Sequence, residues 1–177
     1  MHIIITGGVQ SGKSTLAAEL VQFLNSQRVS LAGILAQGLW QDNQRQGFDL
    51  IDLKSGAKYP LARRRPELEN SLGNRGEIPF QFFEQGLAAG FRALDMEACR
   101  NSSVIMVDEV GKLELFGEGW ASLLEPLLLI KSAVHIWIVR EGLVKKVVRT
   151  WYLESAEIIH VEDEDSFAKL KTILKTI

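Results

Sequence analysis

The sequence of 177 residues predicts an α/β fold built on a mostly parallel β-sheet with helices on both faces. Short runs of β-branched and aliphatic residues alternate with segments whose apolar residues recur at helical spacing. The composition is that of a globular protein, since 46% of the residues are hydrophobic and 24% are charged. Parallel sheets bind ligands at the carboxyl ends of their strands, so we expect one domain over 1–177 with its site at that edge.

The first elements follow from runs of apolar residues. His2–Thr6 is typical of a buried strand, and apolar side chains in residues 16–27 recur at helical spacing. Val29–Ala36 is the next aliphatic run of strand length. In residues 38–76 glycine and proline interrupt the pattern and leave short extended pieces near 48–53 and 58–61. We therefore expect an added antiparallel hairpin with a loop at 38–76.

The alternation resumes after Pro79. Apolar side chains from Phe83 to Ala98 fall on one face of a predicted long helix that ends near Asn101. Further strands are predicted at 104–107, 134–139 and 157–161, and further helices at 119–130, at 143–149 and from residue 165 onward. These elements complete the predicted sheet and its helical layers.

Charge and cysteine content exclude several classes of protein. The 20 Lys and Arg residues against 22 Asp and Glu give a formal charge of −2, so there is no strong signal for binding nucleic acid. Cys99 is the single cysteine and cannot form an internal disulfide, which is typical of a reducing compartment. No apolar stretch approaches a signal peptide or the ~20 residues of a spanning helix. We expect a cytoplasmic protein without membrane contact, and its protein partners are unknown.

The most specific motif lies between the first strand and the first helix. It fits the pattern G-x-x-x-x-G-K-[ST] at every fixed position. Its residues are Gly7, Gly8, Val9, Gln10, Ser11, Gly12, Lys13 and Ser14, and Thr15 follows them. Glycines allow backbone amides to turn inward, where they and the positive end of the helix bind a polyphosphate. The motif predicts a phosphate-binding loop, or P-loop, for a nucleoside triphosphate.

Two side chains of the P-loop have predicted roles. Lys13 is expected to take part in catalysis on the β- and γ-phosphates, and Ser14 is expected to bind Mg²⁺ through its hydroxyl. The alternative is a glycine-rich turn without a ligand. The position between an apolar strand and an amphipathic helix favours the nucleotide, with Mg²⁺ as the cofactor.

An acidic pair, Asp108 and Glu109, ends the apolar run 104–107. Asp108 is the predicted residue on the Mg²⁺ side, and Glu109 is predicted to orient the attacking water. Successive side chains of a strand point to opposite sides, so both carboxylates face one ion only if the backbone turns there. A solvated turn with two acids is the alternative.

Adjacent acids in this order favour hydrolysis of the nucleotide. Two other functions stay open: a P-loop kinase for a small molecule, whose lid would use basic residues from Arg140 to Arg149, and a nucleotide-dependent switch or adaptor. Asp108–Gly111 also fits the D-x-x-G pattern of GTPases, but the chain has no Asn-Lys-x-Asp segment. ATP, GTP and other nucleoside triphosphates are therefore all expected substrates.

Residues Asp108–Leu115 resemble a known family, the small nucleoside-triphosphatases of thermophilic microbes and the cancer-related nucleoside-triphosphatase of animals. Their sequence, Asp-Glu-Val-Gly-Lys-Leu-Glu-Leu, differs from the family's Asp-Glu-Ile-Gly-Lys-Met-Glu-Leu only by aliphatic exchanges. The resemblance extends to residues 7–16, 33, 47–49, 61–63 and 83–85. It implies slow Mg²⁺-dependent hydrolysis of several nucleoside triphosphates to diphosphates on a RecA-like P-loop core.

Two segments depart from the family pattern. Gln37–Gln41 stands where members usually carry Thr-x-Glu-Val-Arg, and Arg140–Gly142 stands where they carry a proline-rich loop. Any role of the family's Glu and Arg in the first segment, or of its loop in the second, is therefore not transferred to this chain.

Several other residues have competing interpretations. Lys112 is a candidate catalytic cation for the γ-phosphate, or else a solvated lysine or a partner of Glu114. Arg63–Arg65 either bind phosphate or an acidic partner or are solvated, and Trp40 is expected to pack within the hairpin rather than on a base. We expect no catalysis by Cys99 and no metal binding by the scattered histidines His2, His135 and His160.

Overall fold

Eight strands form one mixed sheet in the part of the chain that the structure, a computed structural model, describes: residues 1–65 and 80–175. In chain order the strands are β1 (His2–Gly7), β2 (Leu31–Gln41), β3 (Gln44–Asp52), β4 (Lys58–Arg64), β5 (Phe80–Phe82), β6 (Val104–Val110), β7 (Val134–Arg140) and β8 (Glu157–His160). Their order across the sheet is β5-β4-β3-β2-β6-β7-β1-β8.

Helices follow most of the parallel strands. They are α1 (Lys13–Ser26), α2 (Glu84–Ala93), α3 (Met96–Cys99), α4 (Lys112–Leu115), α5 (Ala121–Leu128), α6 (Val144–Thr150) and α7 (Ser166–Leu174), and Glu141–Leu143 forms a 3₁₀ turn. Within the described ranges, none of these helices has the length and apolar character needed to cross a bilayer. The turn at 141–143 and α4 were not predicted.

The parallel half of the sheet comprises β2, β6, β7, β1 and β8. Both of its faces are buried. Ile3 and Ile5 of β1 pack in one layer with Leu20 of α1 and Leu170 of α7, whereas Ile4 points into the opposite layer. The α/β prediction, with helices on both faces of a mostly parallel sheet, is confirmed.

The antiparallel part grows out of a strand of the core. β2 pairs in parallel with β6 over Leu31–Ile34 and then continues to Gln41 as the antiparallel partner of β3. The prediction that this strand ends at Ala36 is wrong, because residues 37–41 continue it as the antiparallel partner of β3. β2 therefore passes unbroken through residue 38, where the added hairpin was expected to begin. Residues 66–76 of that segment lie outside the described part.

The single long helix predicted after Pro79 is also wrong, and Pro79 itself lies outside the described residues. β5 comes first, and the helical stretch is divided between α2 and α3 because the side chain of Asp95 caps α3, accepting a hydrogen bond from the amide of Glu97. The buried face of α2 carries small residues, since a Cβ on Gly86 would lie 2.2 Å from the carbonyl oxygen of Pro60. The end of the predicted final helix, residues 176–177, also lies outside the described part.

Candidate active site

The P-loop connects the carboxyl end of β1 to the first turn of α1. Gln10 and Gly12 have φ angles of 62° and 93°, in the left-handed region that lets the chain reverse within a few residues. Gly7 is needed for close packing, since a Cβ there would lie 2.5 Å from both Ser11 Oγ and Val161 Cγ1. The loop therefore packs closely against Val161, which follows β8, and it has the tight turns expected of a phosphate-binding loop.

Lys13 lies in the concave side of this loop. Its Nζ donates hydrogen bonds to the carbonyl oxygens of Gly7, at 3.1 Å, and of Gly8. Burial lowers the pKa of Lys13, Glu109 is the charged group that opposes this most strongly, and Arg140 lowers the pKa further. The predicted phosphate lysine and the predicted acidic pair are therefore brought together.

Asp108 and Glu109 occupy a break in the ladder between β6 and β7. The register shifts between Val107 and Val110, so these two residues form a bulge at the end of β6. Glu109 has a φ of 58°, which is rare for a residue with a side chain and turns the backbone at this point. The condition under which both carboxylates can face one edge of the sheet is met.

Asp108 is almost completely inaccessible to solvent, with a relative exposure of 1%. Its Oδ1 accepts a hydrogen bond from the amide of Glu109 at 2.8 Å, and its Oδ2 accepts one from the amide of Ala36 at 3.0 Å. Burial raises the pKa of Asp108, with a further contribution from the neighbouring Glu109 carboxylate. Asp108 thus fixes the end of β6 against β2, just beyond the point where their own ladder ends.

Glu109 is more accessible and lies between two arginines. Its Oε1 is 3.6 Å from Nη1 of Arg45, and its Oε2 is 3.7 Å from Nη2 of Arg140. One third of the Glu109 side chain is exposed, at 34%. The carboxylate is therefore reachable by a water molecule while its charge is balanced by two cations.

The donor set at this edge fits Mg²⁺. Ser14 is half-buried in the first turn of α1, and its hydroxyl and the carboxylates of Asp108 and Glu109 are the hard oxygen donors that Mg²⁺ prefers. Within the residues described, no group of three or more His, Cys, Asp or Glu side chains could hold a metal by itself. In P-loop sites Mg²⁺ is held by one or two protein oxygens together with water and substrate phosphates. Both oxygens of Asp108 also accept amide hydrogen bonds, so they would bind Mg²⁺ through their remaining lone pairs.

A second carboxylate reaches the P-loop from the loop after β8. Oε1 of Glu162 accepts a hydrogen bond of 2.9 Å from the amide of Gly8. This hydrogen bond is the largest cause of the lowered pKa of Glu162. One of the amides predicted to bind phosphate is therefore already bonded to an anion of the same chain.

The other candidate residues have different surroundings. Lys112 begins α4 and is exposed, while Glu114 accepts hydrogen bonds from the amides of Gly111 and Trp120. Arg63 belongs to the hairpin, where its guanidinium bonds to Asp49 at 2.7 Å and to the carbonyl oxygen of Phe48 at 2.8 Å. Lys112 stays a candidate catalytic residue, and Arg63 serves the packing of the hairpin.

The remaining residues lie elsewhere. Cys99 is buried, and burial raises the pKa of its thiol to about 11. Trp40 is exposed, and its ring contacts the Arg45 guanidinium within the hairpin. Sequence reasoning missed Arg45 and Glu162, because no local motif marks either residue and both reach the site from segments distant in sequence.

Comparison with known proteins matches nearly the whole chain to one family. A family model described as NTPase matches residues 2–174. The chain is 32% identical over 123 residues to the cancer-related nucleoside-triphosphatase of Homo sapiens, a match that covers 66% of this chain and 63% of that protein. It is 30% identical over 139 residues to the nucleoside-triphosphatase THEP1 of Methanothermobacter thermautotrophicus, and that match covers 76% of each chain.

The fold is similar to that of a solved structure. The solution structure of a human cancer-related nucleoside triphosphatase aligns with a TM-score of 0.69 at 22% identity, covering 99% of this chain and 96% of the human one. At this level of identity the similarity supports the fold.

Proposed function

The chain belongs to the NTPase family, and from this premise we propose that it hydrolyses nucleoside 5′-triphosphates to the diphosphate and inorganic phosphate. One observation carries the proposal: Lys13 of the P-loop and the partly exposed carboxylate of Glu109 lie at the same edge of the sheet, close enough for the charge of Glu109 to raise the pKa of Lys13. A phosphate clamp beside a carboxylate that water can reach is the arrangement that hydrolysis of a terminal phosphate requires. The names of the human and archaeal relatives support the same activity.

In the proposed reaction a water oxygen bonds to the γ-phosphorus while the bond from that phosphorus to the β–γ bridging oxygen breaks. The bridging oxygen leaves on the diphosphate with the electron pair of the broken bond. Glu109 orients the water and accepts its proton, and Lys13 and the amides of the P-loop stabilise the charge on the phosphate oxygens. Ser14 and Asp108 would hold Mg²⁺, which neutralises phosphate charge when it is bound.

We further propose that the base contributes little to specificity. The chain lacks the Asn-Lys-x-Asp segment that selects guanine, so stacking and backbone contacts would hold the base. ATP and GTP should then be hydrolysed with efficiencies within about tenfold, or ~1.4 kcal/mol. A thousandfold preference for one base would refute this part of the proposal.

The test is a panel of nucleoside triphosphates incubated with the protein and Mg²⁺, in which released phosphate and phosphorylated acceptors are measured separately. Release without an acceptor supports hydrolysis, and transfer only to an acceptor supports a kinase. Lys13→Ala should abolish turnover and weaken triphosphate binding while the fold persists, because Lys13 is a phosphate clamp rather than a core residue.

The roles of the two carboxylates are separated by conservative variants. Glu109→Gln should lower kcat by about 10²-fold or more with little change in the affinity for Mg²⁺-nucleotide. Asp108→Asn should weaken Mg²⁺-dependent binding as well as turnover. Glu154→Gln, in an exposed turn before β8, is the matched control and should behave as wild type. Wild-type turnover in Glu109→Gln would overturn the proposed role of Glu109.

A further inference from the structure

The hairpin of β2 and β3 delivers an arginine to the carboxylate that is proposed to orient water. Arg45 lies near the start of β3, directly opposite Trp40 of β2. In the sheet, β2 separates β3 from β6, yet the guanidinium of Arg45 reaches Glu109 at the end of β6. The side chain therefore passes over β2 to enter the candidate active site.

Two aromatic rings contact this guanidinium in addition to the ion pair. Its Cζ lies 4.7 Å from the ring centre of Trp40 and 4.7 Å from that of Phe48. Gly38 leaves the room for this arrangement, since a Cβ there would lie 2.9 Å from Trp40 Nε1 and 3.3 Å from Arg45 Nε. The arginine is thus oriented in advance at low entropic cost.

The hydrogen-bonding capacity of Arg45 is only partly used. Its Nε is buried and makes no hydrogen bond with the described residues. The distance of 3.6 Å from Nη1 to Glu109 Oε1 is an ion-pair contact and is too long for a hydrogen bond. A guanidinium carries five N–H donors suited to anionic oxygens, so Arg45 can bind a further anion without leaving its aromatic contacts.

The charged groups around Glu109 come from different parts of the sheet. Among the described residues, the cations within 4 Å of the Glu109 carboxylate are Arg45 and Arg140. Glu109 in turn is the largest favourable charge at Lys13 of the P-loop. Arg45 therefore lies on the hairpin side of Glu109, whereas Arg140 adjoins Gly7 across the sheet and lies on the P-loop side.

We propose that Arg45 is a catalytic arginine supplied in cis, which binds the γ-phosphate oxygens as charge develops on them and holds Glu109 toward the attacking water. This inference rests on the proposed hydrolysis. It assigns to the hairpin the stabilising cation that the sequence alone placed at Lys112.

The first experiment compares Arg45→Met and Arg45→Lys with the wild type. Because the cation acts on charge that develops during the reaction, kcat should fall about 10²-fold in Arg45→Met while the affinity for the triphosphate stays within about threefold. Arg45→Lys should recover part of the loss. A fall in kcat of less than about tenfold in Arg45→Met would refute the proposal.

Arg63→Met is the matched control, since Arg63 lies in the same hairpin, near the Phe83 ring at 5.9 Å, and pairs with Asp49 rather than with Glu109. It should lower the thermal midpoint and leave kcat near the wild-type value. If Arg63→Met and Arg45→Met lose kcat equally, the integrity of the hairpin explains the loss and the proposed role of Arg45 is wrong.

A binding measurement separates this inference from the proposed function. ADP with fluoroaluminate and Mg²⁺ imitates the planar phosphoryl group of the transition state, so Arg45→Met should bind it at least about tenfold more weakly than the wild type does. Both proteins should bind a non-hydrolysable triphosphate analogue equally. A wild type that releases no phosphate would refute the proposed function, and equal binding of the fluoroaluminate complex would refute the role of Arg45.

A mixing experiment decides between cis and trans action. Arg45→Met keeps an intact P-loop, and Lys13→Ala keeps an intact Arg45. If the arginine acts within its own chain, a mixture of the two variants shows no more turnover than Arg45→Met alone at every protein concentration. Restored turnover in the mixture would show that the arginine comes from a neighbouring chain and would overturn the cis assignment.

Discussion

Acid should destabilise this protein through one buried histidine. His135 lies in the middle of the parallel sheet with a relative exposure of 2%, and its Nε2 is 3.0 Å from the carbonyl oxygen of Ile130. Burial lowers the pKa of His135 from 6.5 to about 4, and the nearby His2, N-terminal amino group and Lys131 act in the same direction. The folded protein therefore keeps this imidazole neutral at a pH where the unfolded chain protonates it.

The sign and size of the effect follow from this difference. Above pH 6.5 the imidazole is neutral in both states, so its full contribution to stability is present. Between pH 6.5 and about 4 only the unfolded chain binds the proton, and the free energy of unfolding falls by about 1.4 kcal/mol per pH unit. The total loss is about 3 kcal/mol, a large part of the ~5–15 kcal/mol that stabilises a typical domain.

The assay is urea unfolding of the wild type and of His135→Gln at several pH values between 7 and 4.5. The variant should lose stability less steeply as the pH falls, because glutamine does not titrate. His2, whose pKa is also lowered by burial, keeps part of the slope in both proteins. Equal slopes in the wild type and His135→Gln would refute the reasoning.

Three further predictions concern the site and its support. Glu162→Ala should tighten triphosphate binding, because the Glu162 carboxylate bonds to the Gly8 amide that a phosphate would use; calorimetric titration measures it, and weaker binding contradicts it. Ser14→Ala should raise the Mg²⁺ concentration needed for half-maximal turnover, and a titration curve that overlays the wild type would exclude the hydroxyl as a ligand. Gly86→Ala should cost about 1–3 kcal/mol of stability in urea unfolding, since the added Cβ meets the backbone of β4 at the Pro60 carbonyl; unchanged stability would show that α2 can move away.

Local patterns predicted the parts of the molecule that depend on local physics. Buried strands such as β1 and β7 are continuous apolar runs, and the P-loop has a fixed motif because phosphate binding requires particular backbone turns. The acidic pair was predictable too, because its two residues directly follow the apolar run 104–107. The sequence did not predict the bulge itself, because neither Asp108 nor Glu109 is a residue type that requires a positive φ; it showed only that a turn there would be needed for both carboxylates to face one ion.

Features that depend on distant contacts were not predictable from the sequence. Residues 37–41 of β2 do not continue the aliphatic run of residues 29–36, and they form a strand because β3 supplies their hydrogen-bond partners. Arg45 has no motif of its own, and its approach to Glu109 depends on the register of the hairpin and on the small size of Gly38. The apolar stripe of the predicted long helix was equally misleading, because Gly86 and its small neighbours form the buried face of α2.

The position of β1 has a consequence for how the protein is made. The P-loop strand is synthesised before its neighbours in the sheet, β7 and β8, with His2 opposite His135 and Ile3 opposite Glu157. Closing so long a segment is costly in entropy and slow, and it cannot begin before the partner strands have been synthesised. During translation the P-loop residues are therefore synthesised well before they can fold into a binding site. Nucleotide can therefore stabilise this sheet only in a chain that already contains β7 and β8.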